Sequence, residues 1–330
     1  MIHGTHYQAL SSDNFANGKT WGPWLWYLND GSKDDAAKRN KQEEKTWPYD
    51  WFKDTPYQTR GSIQGKLVLS DGRPASGAAV FLGDTNSNMT ALDQGKDYYY
   101  AVYADKDGTF SIKDVRTGTY GLQAWSNGGS LADVTTSFLQ NDIVIVEGKN
   151  NNVKTLTWKV ADRKNRVFQV GEFDRKTTGF KLSGPTPYEH ARIAKCPANL
   201  TYTVGSSKAE DWCFGQSALG TWSILFPFSS KKVTATNAKL TVSLAGFSGG
   251  SSASILLNGA KIGNITTNSG LLPSSQDTYR GATRAGEWHL LEFPILVSAL
   301  KEGQNKIDFN VTTSTLWRGW LWDSILLETV

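Results

Sequence analysis

The 330 residues carry 35 Lys and Arg against 31 Asp and Glu, a net charge of +4, and no basic stripe of the kind that tracks nucleic acid. No apolar run reaches the roughly 18 residues that a membrane-spanning helix needs. The length suggests two or three domains, and the 32 Gly with 12% aromatic residues, set as short Val, Thr, Tyr, Phe and Trp runs between turn residues, give the composition of all-β modules.

The first ten residues lack the basic start and apolar core of a signal peptide. Trp21–Asp30 is apolar and Trp-dense, so it reads as a buried strand at the end of a larger β-structure, with the chain beginning near the end of a domain. Ser32 then fits an N-cap, with Asp34 and Asp35 in the first turn, and predicts a polar helix from Lys33 to Lys45. It stops ahead of Trp47-Pro48, because proline disfavours a helical residue before it.

Residues 60–160 read as a small sandwich. Strands are predicted at 62–69, 78–82, 98–104, 109–112, 118–125, 143–146 and 153–160, about ten residues apart with turn chemistry between them. Residues 165–330 form a further unit, with strands at 201–204, 220–226, 238–244, 254–257, 288–293, 306–311 and 320–327. Asn258-Gly259 is a two-residue hairpin signal there, and the whole suggests a two-sheet jelly roll. Cys196 and Cys213 each flank a strand and fit one disulfide, with two buried thiols as the alternative.

Most motifs have a plain reading. Gly18-Lys19-Thr20 lacks the earlier glycine of a phosphate loop, since Asp13 holds that place. His3, His6, His190 and His289 lack metal-ligand spacing, so no metal is assigned. Asp105–Gly108 lacks the glutamate that would close a calcium loop, Arg116 standing there, and reads as a hairpin turn. No Gly-x-Ser-x-Gly elbow occurs. Sequons at Asn88, Asn199, Asn264 and Asn310 are a weak sign of secretion. Trp317–Asp323 and Glu210-Asp211-Trp212 offer the aromatic and polar pieces of a sugar platform, with one of Trp320 and Trp322 facing out; for any single Trp, a core position is the stronger reading. A histidine beside an aromatic, as in His6-Tyr7, suits proton transfer, while a terminal pair without a role is the plainer reading of these residues taken alone.

Several segments in order resemble the fungal-type rhamnogalacturonan lyases of polysaccharide lyase family 4. They are His3-Gly4-Thr5-His6-Tyr7, Trp21–Ala37, Leu69–Asp84, Gln169–Arg175 and Asp211–Phe214. The resemblance runs from end to end of the chain. It implies residues 1–59 as the tail of a large β-sandwich catalytic domain, 60–160 as a fibronectin-III-like sandwich and 165–330 as a carbohydrate-binding-module-like jelly roll. It implies β-elimination in the rhamnogalacturonan I backbone of pectin. A base takes the C5 proton of galacturonate, the bond to O4 breaks, and an unsaturated uronate remains. The family histidine falls at His3 or His6, the latter favoured by its tyrosine neighbour; Tyr7 would line the substrate. The family lysine would lie ahead of these residues, so the expectation is a C-terminal fragment inactive alone. The alternative is a non-catalytic two-module sugar binder. The resemblance further implies a secreted monomer whose partner is pectic polysaccharide, with no nucleic acid, no membrane and no cofactor, calcium being left open.

Overall fold

A computed structural model describes residues 22–83, 98–161, 165–186, 189–266, 277–286, 288–314 and 318–330. The chain divides into two compact units. One takes the residues up to Trp125 together with Ser137–Lys159. The other takes Ser126–Thr136 and Val160–Val330.

Among the described residues the first unit opens on an extended segment and two helices, α1 (Lys33–Thr46) and α2 (Thr55–Gln58). Ser32 caps α1 by accepting from the Asp35 N–H, and Trp47 ends it, as the sequence predicts. The helix buries nothing. Trp21–Asp30 departs from its expected state. Residues 22–29 form no strand, and Trp24, Trp26 and Leu28 are each at least 80% exposed. A strand needs a neighbour for its N–H and C=O groups and a face for its side chains. Among the described residues no strand pairs with this segment, and α1 touches it at Tyr27, whose hydroxyl donates to Asp35 Oδ2 at 2.7 Å. Trp21 lies outside the described residues.

Among the described residues seven strands make the sandwich of this unit: β1 (Arg60–Leu69), β2 (Ala79–Gly83), β3 (Tyr100–Tyr103), β4 (Thr109–Arg116), β5 (Gly118–Trp125), β6 (Phe138–Ile145) and β7 (Asn150–Trp158). One sheet runs β4-β1-β7 and the other β3-β2-β5-β6. Strand β1 alternates half-buried and buried along its whole length, which is what a period of two gives when one face meets a core. Ile63, Leu67, Phe110, Ile112, Leu122 and Trp158 fill that core.

Among the described residues the second unit has ten strands: β8 (Arg166–Gly171), β9 (Leu200–Thr203), β10 (Gly215–Gln216), β11 (Gly220–Phe228), β12 (Asn237–Phe247), β13 (Ser252–Leu257), β14 (Ala260–Ile265), β15 (His289–Leu296), β16 (Gly303–Thr313) and β17 (Trp320–Thr329). One sheet runs β10-β17-β12-β15, with β8 also on β17; the other runs β14-β13-β16-β11-β9. Asn258 and Gly259, at φ 52° and 90°, make the predicted tight turn between β13 and β14. Cys196 and Cys213 are joined in a disulfide.

Between the sheets lies a tryptophan core. Trp212 meets Trp222 at 5.0 Å and Trp322 at 5.5 Å between ring centroids, and Phe309 meets Trp322 at 4.9 Å. Each such side chain, fully buried, contributes on the order of 2–3 kcal/mol. Trp320 and Trp322 are both fully buried, so neither faces out. Residues two apart on a strand share a face, and β17 lies inside its sheet. A bulge shapes this strand: Ser324 pairs Ser243 and Trp322 pairs Leu244, leaving Asp323 unpaired. The bulge lets Ile325 and Trp322, three apart, join the same core. It directs Asp323 to Ser243 instead.

Candidate functional site

The outward side of the β14-β13-β16-β11-β9 sheet carries the polar rungs of a binding face. Along β11, Trp222, Ile224 and Phe226 are buried, so Thr221, Ser223 and Leu225 point the other way. Register then sets the rows. Thr201, Ser223, Asp308 and Leu256 are successive cross-strand neighbours, as are Thr221, Asn310, Ser254 and Asn264, and then Thr203, Leu225 and Lys306. A depression of about 540 Å³ lies over the first two rows.

Its polar groups are fixed by one another. Ser223 Oγ donates to Asp308 Oδ1 at 2.6 Å, and Lys306 Nζ pairs with Asp308 Oδ2 at 2.9 Å. Thr221 Oγ1 donates to Asn310 Oδ1 at 3.3 Å. Hydroxyl, amide, ammonium and carboxylate stand within three rungs, a donor and acceptor set that suits sugar hydroxyls.

On the other sheet, Asp323 organises a buried polar cluster. Its Oδ1 accepts from the Asp174 N–H at 3.0 Å and the Lys176 N–H at 3.3 Å. Ser243 donates to its second oxygen, and the Ser243 hydroxyl accepts from Trp288 Nε1 at 2.8 Å. The Arg175 guanidinium stacks 4.1 Å from the Trp288 ring centroid. Burial pushes Asp323 up to about 7, with the neighbouring Asp174 charge adding to the rise; burial raises Asp174 as well. The excursion Ser126–Thr136 braces the segment that carries Asp174. Phe173 N–H and Gln169 Nε2 donate to Ala132 O, and Gly129 N–H donates to Glu172 Oε2 at 2.7 Å. Gly128, at φ 81°, holds a backbone conformation that favours glycine.

His3, His6, Tyr7 and Trp317 lie outside the described residues. The expected sugar platform is not assembled from Trp212, Trp320 and Trp322, which are all core. Glu210 and Asp211 remain exposed. Large exposed aromatics occur only in the first unit among the described residues, at Trp24, Trp26, Tyr27, Trp47, Trp51, Tyr99 and Tyr103. The sequence reading did not single out Thr221, Ser223, Lys306, Asp308 or Asn310. Their signal is the alternation itself: Thr221 and Ser223 in 220–228, and Lys306, Asp308 and Asn310 in 303–313, fall on alternate positions between largely apolar buried residues. Among the described residues no group of three His, Cys, Asp or Glu is placed to hold a metal ion.

Comparison with known proteins matches both sandwiches. The family model described as polysaccharide lyase family 4, domain II, covers residues 70–153, and the one described as domain III covers residues 166–327. The chain belongs to polysaccharide lyase family 4. This family 4 chain is 28% identical over 305 residues to a rhamnogalacturonate lyase of Dickeya dadantii, covering 88% of the chain and 49% of that protein. It is 22% identical over 343 residues to rhamnogalacturonate lyase A of Emericella nidulans, covering 99% of the chain and 60% of that protein. With rhamnogalacturonate lyase B of the same organism it shares 23% over 288 residues, 73% and 42% of the two chains. The family 4 chain thus spans about half the length of these curated relatives.

Proposed function

We propose that this protein serves the β-elimination of rhamnogalacturonan I and that its jelly roll holds the polymer. The observation that carries the second half is the two-rung polar face: Thr221, Ser223, Asp308 and Asn310 gathered over about 540 Å³ in the unit matched to domain III. The first half rests on the family and on relatives named rhamnogalacturonate lyases. In the elimination, a base takes the proton from C5 of galacturonate. The electron pair forms the C4–C5 double bond, and O4 leaves with a proton from an acid. His6 or His3 would be that acid, with Tyr7 beside the sugar. We place the protein outside the cell, as a monomer. The disulfide Cys196–Cys213 suits an oxidising compartment.

Affinity electrophoresis in rhamnogalacturonan tests the binding. The chain is expected to be retarded, and Thr221→Val with Ser223→Ala to weaken retention roughly tenfold, the scale of two lost hydrogen bonds. Unretarded migration of the unaltered chain would overturn the reading. For the chemistry, ultraviolet absorbance of the new double bond is the readout. The 330 residues alone are expected to give no rise, since they span about half the length of the relatives named as lyases. A rise above blank would show that they hold a complete active site.

A further inference from the structure

The first unit sets two like charges face to face. Arg60 begins β1, Arg116 ends β4, and the register makes them direct antiparallel partners. Such a pair is unfavourable by itself, since side chains directly opposite on neighbouring strands stand about 5 Å apart. Neither can lose its charge, because a guanidinium stays protonated at any pH a folded protein meets.

Aromatic rings surround the pair; the Asp114 carboxylate lies near enough to favour the Arg60 charge but, among the described residues, forms no ion pair with it. The Tyr57 ring lies 4.6 Å from the Arg60 guanidinium carbon and 5.1 Å from that of Arg116. Arg60 also lies 4.7 Å from the Trp47 ring, and Arg116 lies 3.9 Å from the Tyr98 ring. The backbone is locked at this point. The Arg116 N–H donates to Tyr100 Oη at 3.0 Å, and Tyr120 Oη donates to Arg116 O at 2.9 Å. Tyr57 Oη in turn accepts from the Tyr49 N–H at 2.8 Å.

Donors are left over. Arg60 Nη1 donates to Asp114 O, but Arg60 Nε and Arg116 Nη1 are buried and donate to nothing. Arg116 is only 6% exposed, so it has little recourse to water. Each orphaned buried donor is unfavourable, more so for a charged group. Rings can soften a guanidinium's burial but cannot neutralise it. An anion with two oxygens could accept from both forks. Half-buried Arg60 and exposed Trp47 leave a way in from solvent.

We propose that Arg60 and Arg116 form a binding site for the carboxylate of a uronic acid residue, with Trp47 and Tyr98 as walls for its sugar ring. The uronate rests on the pectic reading above; the paired cations do not. A carboxylate fits because its two oxygens match guanidinium forks, and a pyranose fits because its C–H face packs on aromatic rings. The site lies in a different unit from the polar face of the jelly roll, so the two can be tested apart.

Calorimetry with the full chain decides it. The probes are a rhamnogalacturonan oligosaccharide, the same oligosaccharide with its carboxyls reduced to alcohols, and inorganic sulfate. The acidic oligosaccharide is expected to bind at least about tenfold tighter than the reduced one, as loss of a charge-assisted pair requires. Arg60→Gln and Arg116→Gln should each abolish that preference, and raising salt from about 50 to about 300 mM should shrink it. Arg60 is half-exposed, so its variant keeps the test open should Arg116→Gln fail to fold. A preference that survives in folded Arg60→Gln would overturn the proposal. So would sulfate competing as strongly as the oligosaccharide, which would make this a general anion site. Thr221→Val with Ser223→Ala separates the two readings. If that variant loses binding while Arg60→Gln keeps it, the jelly-roll reading stands and this one falls.

Discussion

Each unit holds a pair of like charges, and the two pairs are settled in opposite ways. In the jelly roll, Asp323 and Asp174 share a buried cluster, and burial pushes Asp323 up to about 7. One carboxyl can therefore keep a proton, and the pair ceases to repel. Every oxygen of Asp323 also has a donor: two backbone N–H groups on one, Ser243 on the other. In the small sandwich, Arg60 and Arg116 have no proton to lose, and two of their N–H groups remain without acceptors. A carboxyl pair can satisfy itself from within. An arginine pair asks for something from outside. The first is a structural device, and the second has the character of a binding site.

The largest way to break this comparison is to empty the jelly-roll cluster. Asp323→Ala leaves the Asp174 and Lys176 N–H groups without their acceptor at a site that water does not reach. Unmet buried donors cost about 1–3 kcal/mol each, so the variant should lose about 3 kcal/mol in denaturant unfolding of the jelly roll. A loss below about 1 kcal/mol would mean that the cluster is ornamental. The effect should spread to Trp288, whose Nε1 donates to the Ser243 hydroxyl that Asp323 holds.

A smaller effect follows from pH. The ordinary carboxylate value is 3.8, and Asp323 stands at about 7 in the fold. Between these values the folded state holds a proton that the unfolded state has released. Stability from this group is thus full below about pH 4, falls as pH rises, and is lost above about 7. Asp174, also raised by burial, acts in the same direction. Asp323→Asn, which cannot ionise, should flatten the slope of jelly-roll stability between about pH 4 and 7. It should match or exceed the unaltered chain at about pH 8. An unchanged slope would place the titration elsewhere.

These clusters differ in how far the sequence announces them. Strands are legible wherever a period of two is bounded by turn residues, as in β1, and the Asn258-Gly259 turn is chemistry that few residues other than Asn and Gly accept. Strand β14 escapes that reading because Gly263 interrupts it; the space a Cβ would need there belongs to the Phe293 ring, a contact 2.3 Å away set by packing. Trp21–Asp30 shows the reverse. Its pattern is strand-like, but a strand is a property of a pair, and Trp24 and Trp26 stay exposed. The charge pairs are least legible of all. Asp174 meets Asp323 across 149 residues, and only a bulge in β17 aims the latter at it. Arg60 faces Arg116 only because β1 and β4 share one register. The polar face was half-legible. Its residues alternate visibly, but which alternate face is outward depends on where the second sheet lies.

The smallest effect sharpens the comparison most. If the arginine pair is kept for a ligand, ring faces offset its repulsion only in part in the free protein. Arg60→Gln should then stabilise the ligand-free small sandwich, by at most about 1 kcal/mol for an opposed pair. The gain is discounted because Arg60 is half-exposed, where water screens the interaction. It should shrink as salt rises, since screening weakens the repulsion that the substitution removes. Thermal unfolding at low and high salt reads both. A pair kept for stability would behave in the opposite sense: its loss would remove the stacking on Trp47 and Tyr57 and lower the melting temperature at every salt. The sign of this one small shift thus separates a site built for binding from a contact built for folding.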